Sequence, residues 1–222
     1  MEDLANLDEN TYFRVLYLYP DRITDKLIEV FKNHANMMPY FDIPIQHSSN
    51  HMLETMKRSG TREKYLEVIG KIKTQIPNAI LRTTLIVGFP GESEEDFEDL
   101  KDFISKVEFD HLGVFAFSDE EDTLAYEMEN KIDPKIAKQR EKEIMKMQRK
   151  ISLKLNKKRI NEIHNVLIED FDGNNYYGRS YLFAPDAEDG NFIIKSNRNL
   201  IIGEFINVKI TKVTAYDVEG EL

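Results

Sequence analysis

The chain has 222 residues, enough for one large or two small domains, and 40 acidic against 30 basic residues give it a net charge of −10. It has no cysteine, which excludes disulfides, thiolate nucleophiles and thiolate-bound clusters together. No apolar run approaches the roughly 20 residues of a membrane helix and no basic, apolar leader opens the chain, so a cytoplasmic protein with no membrane partner is expected.

Charge is unevenly placed along the chain. Residues 1–134 hold 27 acidic and 14 basic side chains, 135–159 hold two and eleven, and 160–222 hold eleven and five. Three electrostatic zones follow, and the only basic one is a short helical segment.

In chain order, Tyr12 to Tyr19 reads as a strand closed by Pro20-Asp21, and Thr24 opens a helix with Leu27, Ile28 and Phe31 on one face. Tyr40 to Gln46 is the next strand. Pro44 cannot donate to a ladder, so it belongs at a bulge or at the strand end, where side chains tend to face a site. Helices are expected at Asn50–Ser59, stopped by Gly60, and at Thr61–Gln75, stopped by Pro77.

The stretch LRTTLIVGFPGESEEDF, Leu81 to Phe97, organises the rest. A β-branched run ends in Gly88-Phe89-Pro90-Gly91, and Ser93 with Asp96 has capping-box spacing ahead of Phe97, Leu100, Phe103, Ile104 and Val107 at helical intervals. Gly88 and Gly91 permit positive φ or close approach of a ligand, and free N–H groups at the helix start would point into the same space. A generic glycine turn of a parallel α/β domain accounts for the same residues. Phe109 to Phe117 is a fourth strand. Alternating strands and helices predict a parallel sheet with right-handed crossovers. Four strands do not close a barrel, so the sheet is expected either to lack its N-terminal part or to have an edge covered by a partner.

Asp133-Pro134 starts a helix running to about Arg159, with Ile144, Met147, Ile151 and Leu155 as its apolar stripe. Its Lys and Arg either solvate a connector or offer a surface to phosphate. From His164 the period changes to two, with glycine-containing turns, which predicts a small antiparallel β-barrel of about five strands.

PYFDIPIQHSS, LETMKRSGTREKYLEVI, RTTLIVGFPGESEEDF, GVFAFSDEEDTLAY and GRSYLFAPDAEDG with VKITKVTAYDVEGEL together resemble the radical S-adenosylmethionine methylthiotransferases, most closely the RimO branch. The resemblance implies a partial open (β/α) barrel over 1–133, a basic connecting helix over 134–160 and a TRAM domain, an OB-like barrel, over 161–222. It implies methylthiolation of an aspartate on ribosomal protein number twelve of the small subunit, with S-adenosylmethionine and 4Fe-4S clusters as cofactors. By the same resemblance Gln46, His47, Arg82, Thr84, Gly88 and Gly91 would bind the cofactor, and Tyr177, Arg179, Asp186 and Tyr216 would dock the substrate. Read without the family, Gln46 and His47 satisfy backbone groups at a strand end, Arg82 pairs with the acidic helix, and Ser118 and Asp119 at the end of the fourth strand are caps.

The family holds its clusters with cysteines that this sequence does not contain, so the chain is expected to be inactive by itself. An acidic terminal barrel suits a basic ribosomal protein better than tRNA, the substrate of the sister MiaB branch. A non-catalytic docking module for a basic partner and a metabolic enzyme with phosphate at the GFPG turn are the remaining readings. The metabolic enzyme would need a general base, for which only His47 and His111 lie near strand ends.

Overall fold

A computed structural model describes residues 1–185 and 189–222. The chain forms two compact units, Met1–Gln148 and Arg149–Leu222.

The first unit opens with the short helix α1 (Glu2–Ala5) and continues as β1 (Phe13–Val15), α2 (Asp25–Asn33), β2 (Met37–Asp42), α3 (Asn50–Thr55), α4 (Arg62–Gln75), β3 (Ile80–Val87), α5 (Glu94–Val107) and β4 (His111–Ala116). The strands form one parallel sheet in the order β1-β2-β3-β4, the α/β arrangement expected from the alternation of elements. Side chains alternate across β3: Leu81, Thr83, Leu85 and Val87 are buried, while Arg82, Thr84 and Ile86 are half-exposed. The buried face meets the apolar sides of the helices, where Phe97, Leu100, Phe103 and Ile104 are almost fully enclosed. Thr24, Ser49, Thr61 and Ser93 cap α2, α3, α4 and α5 through their side chains, and Ser93 with Asp96 closes the expected capping box.

Two strands are shorter than their composition suggests. β1 ends at Val15 because Tyr17 turns to a left-handed φ of 58°, and the N–H groups of Tyr17 and Leu18 bond to Asp42. β2 ends at Asp42, two residues before Pro44, and Gln46 then rejoins β3 as an isolated parallel bridge to Leu85.

Asp133 caps α6 (Pro134–Lys158) by accepting from Lys135 N–H at 2.8 Å. Ile144 and Ile151 are buried as expected, but Met147 and Leu155 are only half-buried. The enclosed positions include the polar Arg140, Gln148, Ser152 and Asn156 instead. Three of these are tied to main chain, Arg140 to the carbonyl of Glu92 at 3.2 Å, Gln148 to that of Phe109 at 2.7 Å and Asn156 to that of Thr214 at 3.1 Å.

The second unit is a closed five-stranded barrel of β5 (Ile163–Phe171), β6 (Tyr176–Arg179), β7 (Phe192–Ile194), β8 (Phe205–Val213) and β9 (Val218–Glu221), in the order β5-β6-β7-β9-β8. It is not wholly antiparallel. β9 runs parallel to β7 and antiparallel to β8, because the long connection after β7 brings the chain back to complete the ring. Val166, Ile168, Phe192, Ile194, Val208, Ile210 and Val218 fill its interior.

Candidate functional site

The C-terminal ends of β2 and β3 carry the residues the sequence singles out. His47 has no exposed surface. Its Nδ1 accepts from the Ser49 N–H at 3.0 Å, which leaves the ring proton on Nε2, 3.3 Å from Glu92 Oε1. Glu92 is equally enclosed and also accepts from the Gly88 N–H and from Arg140 at 2.8 Å. Arg140 in turn bonds the Glu92 carbonyl at 3.2 Å and the Glu94 carboxylate at 2.9 Å. A single buried carboxylate thus fastens the segment after β2, the glycine turn and α6. His47 therefore fixes the backbone beside Gln46 and presents no atom to solvent.

The glycines of the turn differ. Gly88 has φ 73°, and a Cβ there would lie 2.2 Å from the Ala137 Cβ, so the residue is needed for close approach of α6. Gly91 has φ 88° with open space where a Cβ would be. Four N–H groups of the turn and helix start are occupied: Gly88 donates to Glu92, Gly91 to the Asn130 carbonyl at 2.7 Å, and Ser93 and Asp96 to one another. These four N–H groups are therefore engaged within the protein and not offered to an anion.

Below the turn, Arg82 pairs with Asp42 at 3.0 Å, a partner on the neighbouring strand. The register aligns Asp42 with Arg82, Arg82 with His111 and Thr84 with Gly113, so these share the more open sheet face. Tyr40 lies on this face too, with Arg14 over its ring at 4.3 Å and His111 stacked at 6.2 Å. Phe115, on the same side of β4, is 62% exposed. Gln46 sits above them with φ 68°, a left-handed conformation unusual for a residue with a side chain. The structure thus brings Gln46, Thr84 and Gly91 to accessible positions near the strand ends, while Arg82, His47 and Gly88 are engaged within the protein. Asp119 pairs with Lys131 at 2.8 Å.

Behind this face an open cavity of about 590 Å³ is lined by Ser49, His51, Arg62, Ser93, Asp96 and Asp99. Burial acts against the Asp96 charge, but hydrogen bonds from Ser49, Ser93 and His51 outweigh it and hold the carboxyl well below the usual carboxylate range.

On the barrel, Tyr177 and Arg179 project from the outer side of β6. The Tyr177 hydroxyl donates to Asp172 at 2.8 Å and Arg179 pairs with Glu169 at 2.6 Å. Tyr216 is exposed in the β8–β9 turn, and Asp186 lies outside the described residues. Phe183 is buried, whereas Tyr181 is half-buried against His164. Exposed apolar side chains gather elsewhere, with Ile201, Ile202 and Phe205 leading into β8 and Phe171 ending β5. Asp170 and Glu204 are exposed in the same segments.

Glu92, Arg140 and Asp42 were not singled out from sequence. Glu92 reads as one more acid beside a helix start, Arg140 as one cation among eleven, and Asp42 as an interruption in an apolar strand. Cluster ligands do not fit this chain. It contains no cysteine, and among the described residues no grouping of His, Asp and Glu is arranged to hold a metal ion.

Residues 2–104 match the Radical SAM superfamily and residues 160–222 match a TRAM domain. The chain is 47% identical over 225 residues to the ribosomal protein uS12 methylthiotransferase RimO of Clostridioides difficile (strain 630), covering 100% of this chain and 50% of that protein. It is 44% identical over 221 residues to the RimO protein of Caldanaerobacter subterraneus subsp. tengcongensis, with the same coverage. A solved structure of an archaeal Elp3 from Methanocaldococcus infernus overlaps 57% of the chain and 30% of its own, at TM-score 0.44 and 19% identity. The chain spans about half the length of the curated relatives it matches. With a Radical SAM segment ahead of a TRAM domain, the chain is similar along its whole length to one half of the curated RimO methylthiotransferases.

Proposed function

We propose that this chain supplies the cofactor cradle and the substrate-docking barrel for methylthiolation of an aspartate on ribosomal protein number twelve of the small subunit. The observation that carries this reading is full-length similarity to half of each RimO protein. S-adenosylmethionine, activated by a reduced 4Fe-4S cluster, supplies the radical chemistry in that family. In this chain, Gln46, Thr84 and Gly91 would line the cofactor's place at the strand ends. Glu92, through His47 and Gly88, would hold the backbone on which two of them sit. No step is assigned to a cluster, because its thiolate ligands are absent, and the 222 residues are proposed to be inactive by themselves.

The barrel carries eleven acidic and five basic residues over 160–222, which suits a basic protein. The apolar residues Phe171, Ile201, Ile202 and Phe205, with Asp170 and Glu204 beside them, supply a second docking surface besides Tyr177, Arg179, Asp186 and Tyr216. Calorimetric titration with ribosomal protein number twelve tests the reading. Binding is expected, and the pair D170K and E204K should weaken it about tenfold, in line with the loss of charge complementarity at an interface. Absence of binding, or binding unchanged by the charge reversal, would sink it. Retention of tRNA that depends on barrel residues would favour the MiaB-type alternative.

A further inference from the structure

α6 carries an arrangement of charge that the proposed substrate does not explain. At 3.6 residues per turn, Lys135, Lys142, Lys146, Arg149, Lys150 and Lys157 fall within about a third of the helix circumference, along a line of about 33 Å. All six are exposed. The two acidic residues of the helix are engaged elsewhere, Glu141 with Lys138 and Glu143 with Lys101. Among the described residues the six cations have no ion-pair partner, although acidic residues outnumber basic ones in the chain. Like charges on successive turns repel, so the stripe is mildly unfavourable to the helix that carries it. A basic protein would be repelled by it as well, and it needs an anionic partner.

We propose that this stripe docks on the sugar-phosphate backbone of RNA without reading its sequence. Lys142, Lys146 and the pair Arg149 and Lys150 fall on successive turns, about 5–6 Å apart, and Lys135 and Lys157 extend the line by about two turns at either end, which suits a polymer with charge repeated along its length. Five of the six are lysines, which bind phosphate as point charges and need no planar, two-pronged partner. α6 contains no aromatic residue, so it offers no platform for stacking bases. The choice of RNA over other polyanions rests on the proposed ribosomal substrate, because a ribosomal protein is presented among RNA. The affinity for a phosphate backbone rests on the stripe alone.

The test is fluorescence anisotropy with the whole 222-residue chain and three probes: an RNA duplex of about two helical turns, a DNA duplex of the same length, and polyglutamate. The RNA should bind with an affinity that falls steeply with salt, by about 0.7–0.9 in the logarithmic slope for each phosphate contacted. The variant K142Q, K146Q, R149Q and K150Q should bind RNA at least about tenfold more weakly, with a slope shallower by about three. A variant with the same change of charge on the barrel, K195Q, R198Q, K209Q and K212Q, should stay within about twofold of the parent. Circular dichroism on both variants checks that helix content is kept.

The proposal is overturned if the parent shows no salt-dependent RNA binding or if the barrel variant loses as much affinity as the α6 variant. It is also overturned if DNA or polyglutamate binds at least as tightly as RNA. Titration of the parent chain with ribosomal protein number twelve, alongside the RNA, separates the two readings. If the ribosomal protein fails to bind while RNA binding persists, the substrate reading falls and the stripe stands; the reverse result removes the stripe only.

Discussion

The Nε2–H of His47 lies 3.3 Å from Glu92 Oε1, both side chains fully enclosed, and this contact joins two stretches 45 residues apart in sequence. Removing the carboxylate would leave His47 and the Gly88 N–H buried without their acceptor, and Arg140 with only the residue-92 carbonyl and Glu94. Glu92→Ala is expected to cost about 3–5 kcal/mol, the range for breaking a buried ion pair from one side. Glu92→Gln keeps the shape and one acceptor oxygen, and should cost roughly 1–3 kcal/mol. Urea denaturation followed by circular dichroism measures both, and equal, small losses would show that the carboxylate is not what fastens the turn.

Gly88 and Gly91 share positive φ but differ in surroundings, which separates two effects of an added methyl group. Gly91→Ala meets open space and should lose only the left-handed backbone term, about 1–2 kcal/mol. Gly88→Ala adds a collision with Ala137 and should lose more than its neighbour. The double variant G88A with A137G should recover part of that excess. Midpoints of chemical denaturation give the comparison, and a Gly88 variant no worse than the Gly91 variant would contradict the packing seen here.

Gln46 gives opposite expectations for stability and for binding. Glycine at this position relieves a left-handed φ of 68°, so Gln46→Gly should leave stability unchanged or raise it by up to about 1 kcal/mol. If its amide contacts the cofactor as proposed, the same change weakens S-adenosylmethionine binding. Thermal denaturation and equilibrium dialysis read the two effects separately. A stable variant with parental affinity would remove Gln46 from the site.

The barrel should be acid-sensitive through His164. This ring is 4% exposed, lies 5.4 Å from Tyr181 and 5.6 Å from Phe192 by ring centroids, and has a buried Nδ1 without a partner among the described residues. Burial lowers its pKa from 6.5, and the hydrogen bond to Glu162 at 3.0 Å only partly offsets this. The unfolded chain therefore takes up the proton first as pH falls. The stability tied to the neutral ring is fully present above the unfolded value and is lost progressively below about pH 6.5. Melting temperatures between about pH 7.5 and 5 should fall more steeply for the parent than for His164→Phe, which removes the titrating group. Parallel curves would show that His164 is not the sensor.

The β3–turn–α5 unit was legible because three local signals agree: a β-branched run, a glycine turn and Ser93 set three residues before Asp96. The first strand was overread, since Tyr12 to Tyr19 has strand composition but its backbone turns at Tyr17 to meet Asp42. Periodicity placed the apolar stripe of α6, yet it could not distinguish Arg140, Gln148 and Asn156 from solvated neighbours. Their burial depends on carboxylates and carbonyls brought to them by distant segments. Alternation revealed the barrel strands but not that β7 and β9 run parallel, because pairing direction depends on the route of the chain between them. Of the proposed cofactor residues, the sequence could not separate those that face outward from those that hold the scaffold.

Closure of the barrel depends on β9, a strand of four residues with a different neighbour on each side. Proteolytic loss of Val218–Glu221 would do more than shorten the ladder. It would leave β7 and β8 as facing open edges, with unpaired backbone donors and acceptors on both. A nick this small would turn a self-limited domain into a template for intermolecular strand pairing, so aggregation would be its first symptom.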